Sequence, residues 1–462
     1  MIRAKIPDRQ LFYCDEEIAR PSRTNYYIRL NEAVSNWGEF CEPLGGCFSL
    51  KKDGRPVDPT VYFKIFLIGY LEGIVEDTDL AERISDSIAI REFLGYGLSE
   101  RPPDHSSIGR VRGAFGKGEA LQLMLEDTVS RCAQAGLVDG KLVAVDSVLL
   151  PANADMASLV SMKTGLTVRE HLKHCRDANL KGAVGNEEFR STGDPDARIA
   201  RKKGSPTRMY YKATHVTDSK NQVIVAANLS GADIGECEAA KPALKQTKLR
   251  LSTASLALGT VVADAGYDDG AFHAYIEEQG AIPLTNYQAS KSPKEAGFAK
   301  SDFVYDPEND LYRCPQGKLL SLAGSDRGRA VYTSKTSECQ ECPYRHQCLA
   351  KSQRYRVVRR EPSEASRERN IALCHTDKGR EQLKARKVIV EPPFAHMKRC
   401  GGLSRLNCRT QNRVLVKVIV AAIAWNLMKL TKALGKGQTD ALARFWDLIF
   451  VLKRPIPRAI FA

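Results

Sequence analysis

Two aspartates stand where a strand should be apolar. Asp146 lies inside VAVDSVLL, and Asp264 ends LGTVVAD just before the turn-like AGYDD. Aspartate is disfavoured in strands, and a carboxylate removed from water must be paired, hydrogen-bonded or metal-bound. At Asp264 a turn-capping aspartate is an equal reading. The third acidic candidate is Glu391, in GREQLKARKVIVEPPFAHMKR. An isolated glutamate is usually a solvated surface residue, and Pro392 and Pro393 interrupt backbone bonding, so Glu391 is expected at a kink or at the start of a new helix. Lys398, two turns on, would share its face if the helix continued. Phosphodiester cleavage needs a strong nucleophile and neutralisation of developing charge, and two Mg²⁺ ions roughly 3.5–4 Å apart supply both. Such ions take carboxylate oxygens, with water and phosphate completing six-coordination. Three carboxylates suffice: Asp146 bridging both ions, Asp264 holding one and Glu391 the other.

A second set of residues could bind a softer metal. Cys314 in CPQGK and Cys339, Cys342 and Cys348 in CQECPYRHQC have the reach for tetrahedral Zn²⁺. Four thiolates leave no open coordination position, so such a site would be structural, serving to fold an insertion that lacks its own apolar core. Reduced cysteines without metal are the alternative, and His346 is a competing ligand. The other cysteines are scattered, as in Cys14, Cys41, Cys47, Cys132, Cys175 and Cys237, and the total of 13 is odd. That usage suits reduced thiols rather than a disulfide framework.

Cations form the third set. Arg110, Arg112 and Lys117 lie on or just after a short helix that begins at RPPDHSSIGRVR, where Asp104, Ser106 or Ser107 can cap it. Such a helix can enter a DNA groove or be an ordinary solvated face. Arg405, Arg409, Arg413 and Lys417 recur every four residues and would make one cationic stripe on a helix. Phosphate contacts there would make binding steeply salt-dependent.

These residues need elements to carry them. Residues 1 to about 130 read as mainly helical, with a compact apolar run over 61–73 and helical spacing of Leu80, Ile84 and Ile88 across 77–90. Strands are predicted over 141–150, 210–216, 222–227, 258–264 and 281–284, with a polar turn at 218–221 and helices over 236–249 and 269–279. That is a mixed three-layer α/β unit. The polar stretch 164–207, with its basic run at 201–204, reads as a loop or mobile arm.

Composition bounds the partners. The 462 residues carry 69 Lys plus Arg against 55 Asp plus Glu, a net charge of +14, and such an excess most often serves a polyanion. Hydrophobic residues at 43% and charged residues at 27% exclude disorder or a fibre across the whole chain. The longest apolar stretch, 414–430, is interrupted by Lys417, Asn426 and Lys429; it reads as a buried helix rather than a membrane span. The N-terminus lacks a signal-peptide h-region, so a cytoplasmic protein is expected.

Several stretches resemble a known family. PDHSSIGRVR, VAVDSVLLPANA, DPDAR, VVADAGYDD, EPPFAHMKRCGGLSR and WNLMKL are similar, in this order, to segments of the DDE transposases of bacterial insertion sequences. The resemblance runs from about residue 55 to about 432, and residues ahead of the aspartates resemble an InsH-type N-terminal transposase domain. It implies an RNase H-like mixed sheet flanked by helices, preceded by a mainly helical DNA-binding domain. The implied triad falls on Asp146, Asp264 and Glu391. Many relatives have arginine four residues before the glutamate and lysine seven after; here Lys398 fits, but the first place is Lys387, with Arg386 beside it. That exchange loses planar bidentate phosphate binding.

The resemblance implies Mg²⁺, for which Mn²⁺ can substitute, and double-stranded DNA as partner: the element's terminal inverted repeats and the target. It also implies a homodimer in a synaptic complex, and a cytoplasmic, nucleoid-associated protein. The expected steps are hydrolysis at an element end, freeing a 3′-OH, and attack of that hydroxyl on target DNA. The competing readings are a catalytically silent, transposase-derived DNA-binding protein and a nuclease without strand transfer. The expected domains are 1–135 (helical, DNA-binding), 136–285 and 366–434 (two parts of the catalytic domain), 286–365 (cysteine insertion) and 435–462 (a tail with no assigned role).

Overall fold

Why the N-terminal region collapses is plain from α3 (Pro59–Glu72), whose sequence PTVYFKIFLIGYLE has no polar stripe. Phe63, Ile65, Leu67 and Ile68 are all fully buried, so the helix must be surrounded, and each such side chain contributes about 1.5–3 kcal/mol. The computed structural model describes residues 25–47, 58–115, 118–180, 182–202, 204–287 and 298–434; Lys117 and the tail at 435–462 lie outside them. Around α3 pack α1 (Tyr26–Val34), α2 (Trp37–Phe40), α4 (Asp77–Asp86), α5 (Ile88–Leu94), α6 (His105–Ala114) and α7 (Glu119–Gln134). The single helix predicted over 77–90 is two: Ser87 takes an extended conformation and its Oγ accepts the Ile90 N–H at 3.3 Å. Ile88 is consequently exposed rather than in the core. Asp104 caps α6 by accepting the Ser107 N–H at 2.7 Å.

The central sheet is mixed. β1 (Leu142–Pro151) pairs antiparallel with β5 (Arg208–Asp218), which pairs antiparallel with β6 (Ile224–Gly231). On its other side β1 runs parallel to β7 (Thr260–Ala263), followed by parallel β8 (Ile282–Thr285). The short β4 (Arg198–Ala200) joins one end of β5. The order β6-β5-β1-β7-β8 is the RNase H-like arrangement that the sequence resemblance implied. The helices α9 (Glu236–Thr253) and α10 (Gly270–Glu278) follow β6 and β7.

The stretch 164–207 is not a mobile arm. It contains α8 (Val168–Asp177), closed by a Thr167–Glu170 capping box, and β3 (Phe189–Ser191), which pairs with β2 (Leu159–Ser161). Asp194, fully buried, accepts the Tyr211 hydroxyl at 2.5 Å and the Thr410 N–H at 3.1 Å, while Asp196 accepts the Gln411 N–H at 2.9 Å. The DPDAR motif is thus an anchor for the start of α15 (Gln411–Leu434).

The cysteine insertion also departs from expectation. It is a five-stranded antiparallel sheet, with β9 (Val304–Asp306), β10 (Leu311–Arg313), β11 (Leu319–Asp326), β12 (Arg329–Ser334) and β13 (Val357–Arg360) in consecutive order. Phe303, Tyr312, Leu320, Tyr332 and Val358 give it an apolar core of its own. Two short helices, α11 (Thr336–Gln340) and α12 (Arg345–Cys348), carry Cys339 and Cys348, with Cys342 in the link between them.

Next come α13 (Glu364–Cys374) and α14 (Asp377–Arg399), and α14 does not break at its prolines. Pro392 cannot bond the carbonyl four residues back, but that carbonyl, on Val388, accepts Gln222 Nε2 at 2.8 Å. Gln222 also accepts the Trp425 indole N–H at 2.6 Å on its backbone oxygen and Lys429 on Oε1 at 2.9 Å, both from α15. Helix α15 is long and apolar enough to cross a membrane by composition, yet it is buried in the protein against α1, α3, α7 and β6. Its fully buried Asn426 exchanges two 2.8 Å hydrogen bonds with the backbone of Ile224 on β6. A buried amide without those partners would be costly.

Candidate active site

The register of the sheet sets the first pair. Ala144 lies beside Val262 across the parallel β1–β7 pairing, and two residues further along each chain come Asp146 and Asp264. Strands with helical connections commonly gather ligands at such carboxyl ends. Asp146 accepts the Ser147 N–H at 2.8 Å on Oδ1 and Arg386 from α14 at 3.1 Å on Oδ2. Burial pushes its carboxyl above the ordinary value; Arg386 and the Ser147 N–H pull it down, and the charge of Asp264 adds to the upward push. Asp264 caps the short turn Ala265–Tyr267 by accepting the Gly266 N–H at 2.9 Å. The turn-capping reading of Asp264 therefore holds, and its charge also acts on Asp146.

Glu391 is carried by α14, which packs across β1, β5 and β7. Its side chain is exposed, and among the described residues it makes no hydrogen bond or ion pair. The structure thus brings Asp146 and Asp264 together, with Arg386 rather than Glu391 against Asp146. Lys398 is half-buried; burial and Lys202 lower its pKa, while the nearby charge of Asp146 opposes them. Lys387, at the position where relatives have arginine, is exposed. Arg386 is therefore the guanidinium of the site, one residue off the expected place. The sequence signal was its adjacency to Lys387, and helical geometry decided between them: residues one apart do not face the same way.

Beneath the site, His215 stands opposite Asp146 on β5. It is buried, its ring nitrogens have no hydrogen-bond partner among the described residues, and it stacks on Phe394 at 4.6 Å and 12°. Burial pushes its pKa down to about 3, so it is a neutral aromatic prop for α14. On the other face Ser147 Oγ bonds Thr214 Oγ1 at 2.7 Å and the buried Tyr267 hydroxyl at 2.8 Å.

The remaining cations divide. Arg110, Arg405, Arg409 and Arg413 are exposed. Arg112 is committed to Asp77 and lies over the Phe66 ring at 4.9 Å, so it braces α6 on α4. The cationic stripe predicted over 405–417 does not form: α15 begins only at Gln411, Arg409 reaches back to the Asn153 carbonyl at 3.0 Å, and Lys417 turns to Asn407.

Cys314, Cys339, Cys342 and Cys348 line one cavity beneath the insertion sheet, beside Phe298, Phe303 and Arg356. Cys339 Sγ contacts Ser334 Oγ at 2.9 Å, and Cys314 Sγ accepts the Lys318 N–H at 3.3 Å. His346 is exposed. Among the described residues no three His, Cys, Asp or Glu side chains close around one point tightly enough to hold an ion as they stand.

Residues 164–427 match the family described as Transposase DDE domain, and residues 15–114 match Transposase domain (DUF772). The first match covers more than half of the chain, and the protein belongs to the DDE-domain transposases. Asp264 and Glu391 fall inside that match and Asp146 ahead of it. Among solved structures, a cryo-EM piggyBac transposase synaptic complex with hairpin DNA is 11% identical over 94% of this chain and 87% of its own, at a TM-score of 0.35. A Mos1 transposase paired-end complex with the left transposon end is 12% identical over 53% and 65%, at 0.17. Scores that low carry no argument. Curated proteins give no match.

Proposed function

We propose that this protein is a metal-dependent DNA transposase that cleaves DNA at the ends of its own element and joins the freed 3′-OH to target DNA. The observation that carries this is the placement of Asp146 in β1 beside Asp264, just past the end of the adjacent parallel β7, in a DDE-domain chain. The charge of Asp264 adds to the upward push on the Asp146 carboxyl, a divalent cation between the two would relieve that repulsion, and an all-oxygen donor set suits Mg²⁺ or Mn²⁺. Bound there, the ions would activate the attacking oxygen and neutralise charge on the phosphate. Asp146 and Asp264 would hold them, and Glu391 joins when α14 turns its exposed carboxylate inward.

The chain's own groups do the rest. Arg386 compensates the Asp146 charge without metal, and its planar fork can turn to a phosphate oxygen once a cation takes its place. Lys398, half-buried on the same side, offers a point charge for the DNA backbone. The exposed Arg110, Arg405, Arg409 and Arg413, with Lys387, supply phosphate contacts that position both element ends and target. Bringing two ends together calls for a homodimer. In the insertion, four thiols around one cavity suit a closed structural Zn²⁺ site.

The Arg386–Asp146 ion pair favours a second reading, a silent DNA-binding descendant in which the arginine never leaves. One assay separates the two. Purified protein incubated with Mg²⁺ or Mn²⁺ and DNA carrying the element's terminal repeats should nick at the end and yield joined products. Specific end-binding without any nick overturns the enzyme reading.

A further inference from the structure

Glu236 opens α9 directly after strand β6 and its loop. A glutamate in the first turn of a helix ordinarily faces water and is favoured there by the free N–H groups. Glu236 instead is half-buried and turned toward the Asp264 turn. A Cβ built on Gly266 would collide with Glu236 Oε2 and come within 3.1 Å of Asp264 Oδ1, so the two carboxylates flank one glycine. Any side chain at that position would push them apart. Tyr267, next in the chain, feels the charges of Asp146, Glu236 and Asp264 together, and its hydroxyl is tied to Ser147, the neighbour of Asp146.

Among the described residues Glu236 makes no hydrogen bond or ion pair. The charge of Lys212 acts on it, but the Lys212 ammonium is bonded to the Ile234 carbonyl. Asp264 likewise has one oxygen that accepts no hydrogen bond among those residues. Holding two like charges close and half out of water opposes folding, and a divalent cation between them removes that opposition. We propose that Glu236 is a fourth carboxylate of the metal site, sharing the ion held by Asp264. The proposal rests on the reading of Asp264 as a metal ligand given above.

The test uses the full-length protein and Mn²⁺ alone, without DNA, followed by calorimetry and by the thermal shift that Mn²⁺ produces. Glu236→Gln is expected to weaken Mn²⁺ binding about tenfold or more and to raise the melting temperature of the metal-free protein, because a repulsion is gone. Wild-type Mn²⁺ affinity in Glu236→Gln overturns the proposal. Asp264→Asn serves as the reference. If Asp264→Asn loses Mn²⁺ and Glu236→Gln does not, only the present inference fails; if Asp264→Asn also binds normally, the metal-ligand reading beneath it fails. Should Glu236→Gln not fold, Glu236→Asp, shorter by one methylene, must weaken Mn²⁺ affinity, and undiminished affinity overturns the proposal equally.

Discussion

The acidic site and the thiol cavity gather their groups in opposite ways. Asp146 and Asp264 are placed by the register of neighbouring strands whose flanking residues, such as Val145 and Ala263, are fully buried. The four cysteines sit beside a turn, on two short helices and in the link between those helices, against a small aromatic core. In the first region the backbone is fixed before any cation arrives, and Arg386 stands in for the missing charge. In the second the thiols hang on segments with little regular structure, and the Zn²⁺ proposed there would help to order them. The lesson is that candidate ligands can stand on a finished framework or on segments that a bound ion would help to finish.

That contrast can be broken by experiment. Its largest consequence concerns Asp146→Asn: nicking should vanish while binding to element ends and the melting temperature stay close to wild type. Turnover retained in this variant removes the metal-ligand role of Asp146. Replacing Cys339 and Cys342 together by serine should do the reverse. Limited proteolysis should then cut faster between residues 300 and 360, bound zinc measured by mass spectrometry should fall, and the central sheet should keep its hydrogen-exchange protection. Uniform loosening of both regions would abolish the distinction.

Smaller effects sharpen it. Arg386→Ala leaves a half-buried carboxylate uncompensated and should cost about 1–3 kcal/mol in denaturant unfolding, with much of that loss recovered when Asp146→Asn is added. Equal losses in single and double variants would show that the ion pair is not what Arg386 supports. His215 gives the mildest effect at neutral pH. Its folded pKa of about 3 lies below the unfolded value near 6.5, so the unfolded chain takes up a proton first. Its contribution to stability is full above the unfolded value and is lost as pH falls toward 3, at up to about 1.4 kcal/mol per pH unit. His215→Phe should stack on Phe394 equally well and flatten the acid side of the stability profile. An unchanged acid limb would mean that His215 is solvated.

The strands and the aspartates were legible because a carboxylate interrupting an apolar, β-rich run is rare and costly. What stayed hidden depended on partners distant in sequence. Nothing local to Pro392 reveals that Gln222 would accept the role of bonding the Val388 carbonyl, so an interrupted helix was the reasonable expectation. The stretch 164–207 looked mobile because it is polar, yet Asp194 and Asp196 tie it to residues more than 200 positions away. Evenly spaced arginines suggested a stripe, and the spacing was right, but the helix begins too late to display it. Glu236 escaped notice because an acidic residue in a helix's first turn already has an ordinary explanation.

Helix α15 touches the N-terminal bundle on one side and β6 on the other. During synthesis, the apolar surface of α3 and the open edge at Ile224 emerge from the ribosome some 200 or more residues before the element that covers both. Neither layer is fully covered until α15 has been made, so bundle and sheet reach their final packing together, once position 434 has appeared.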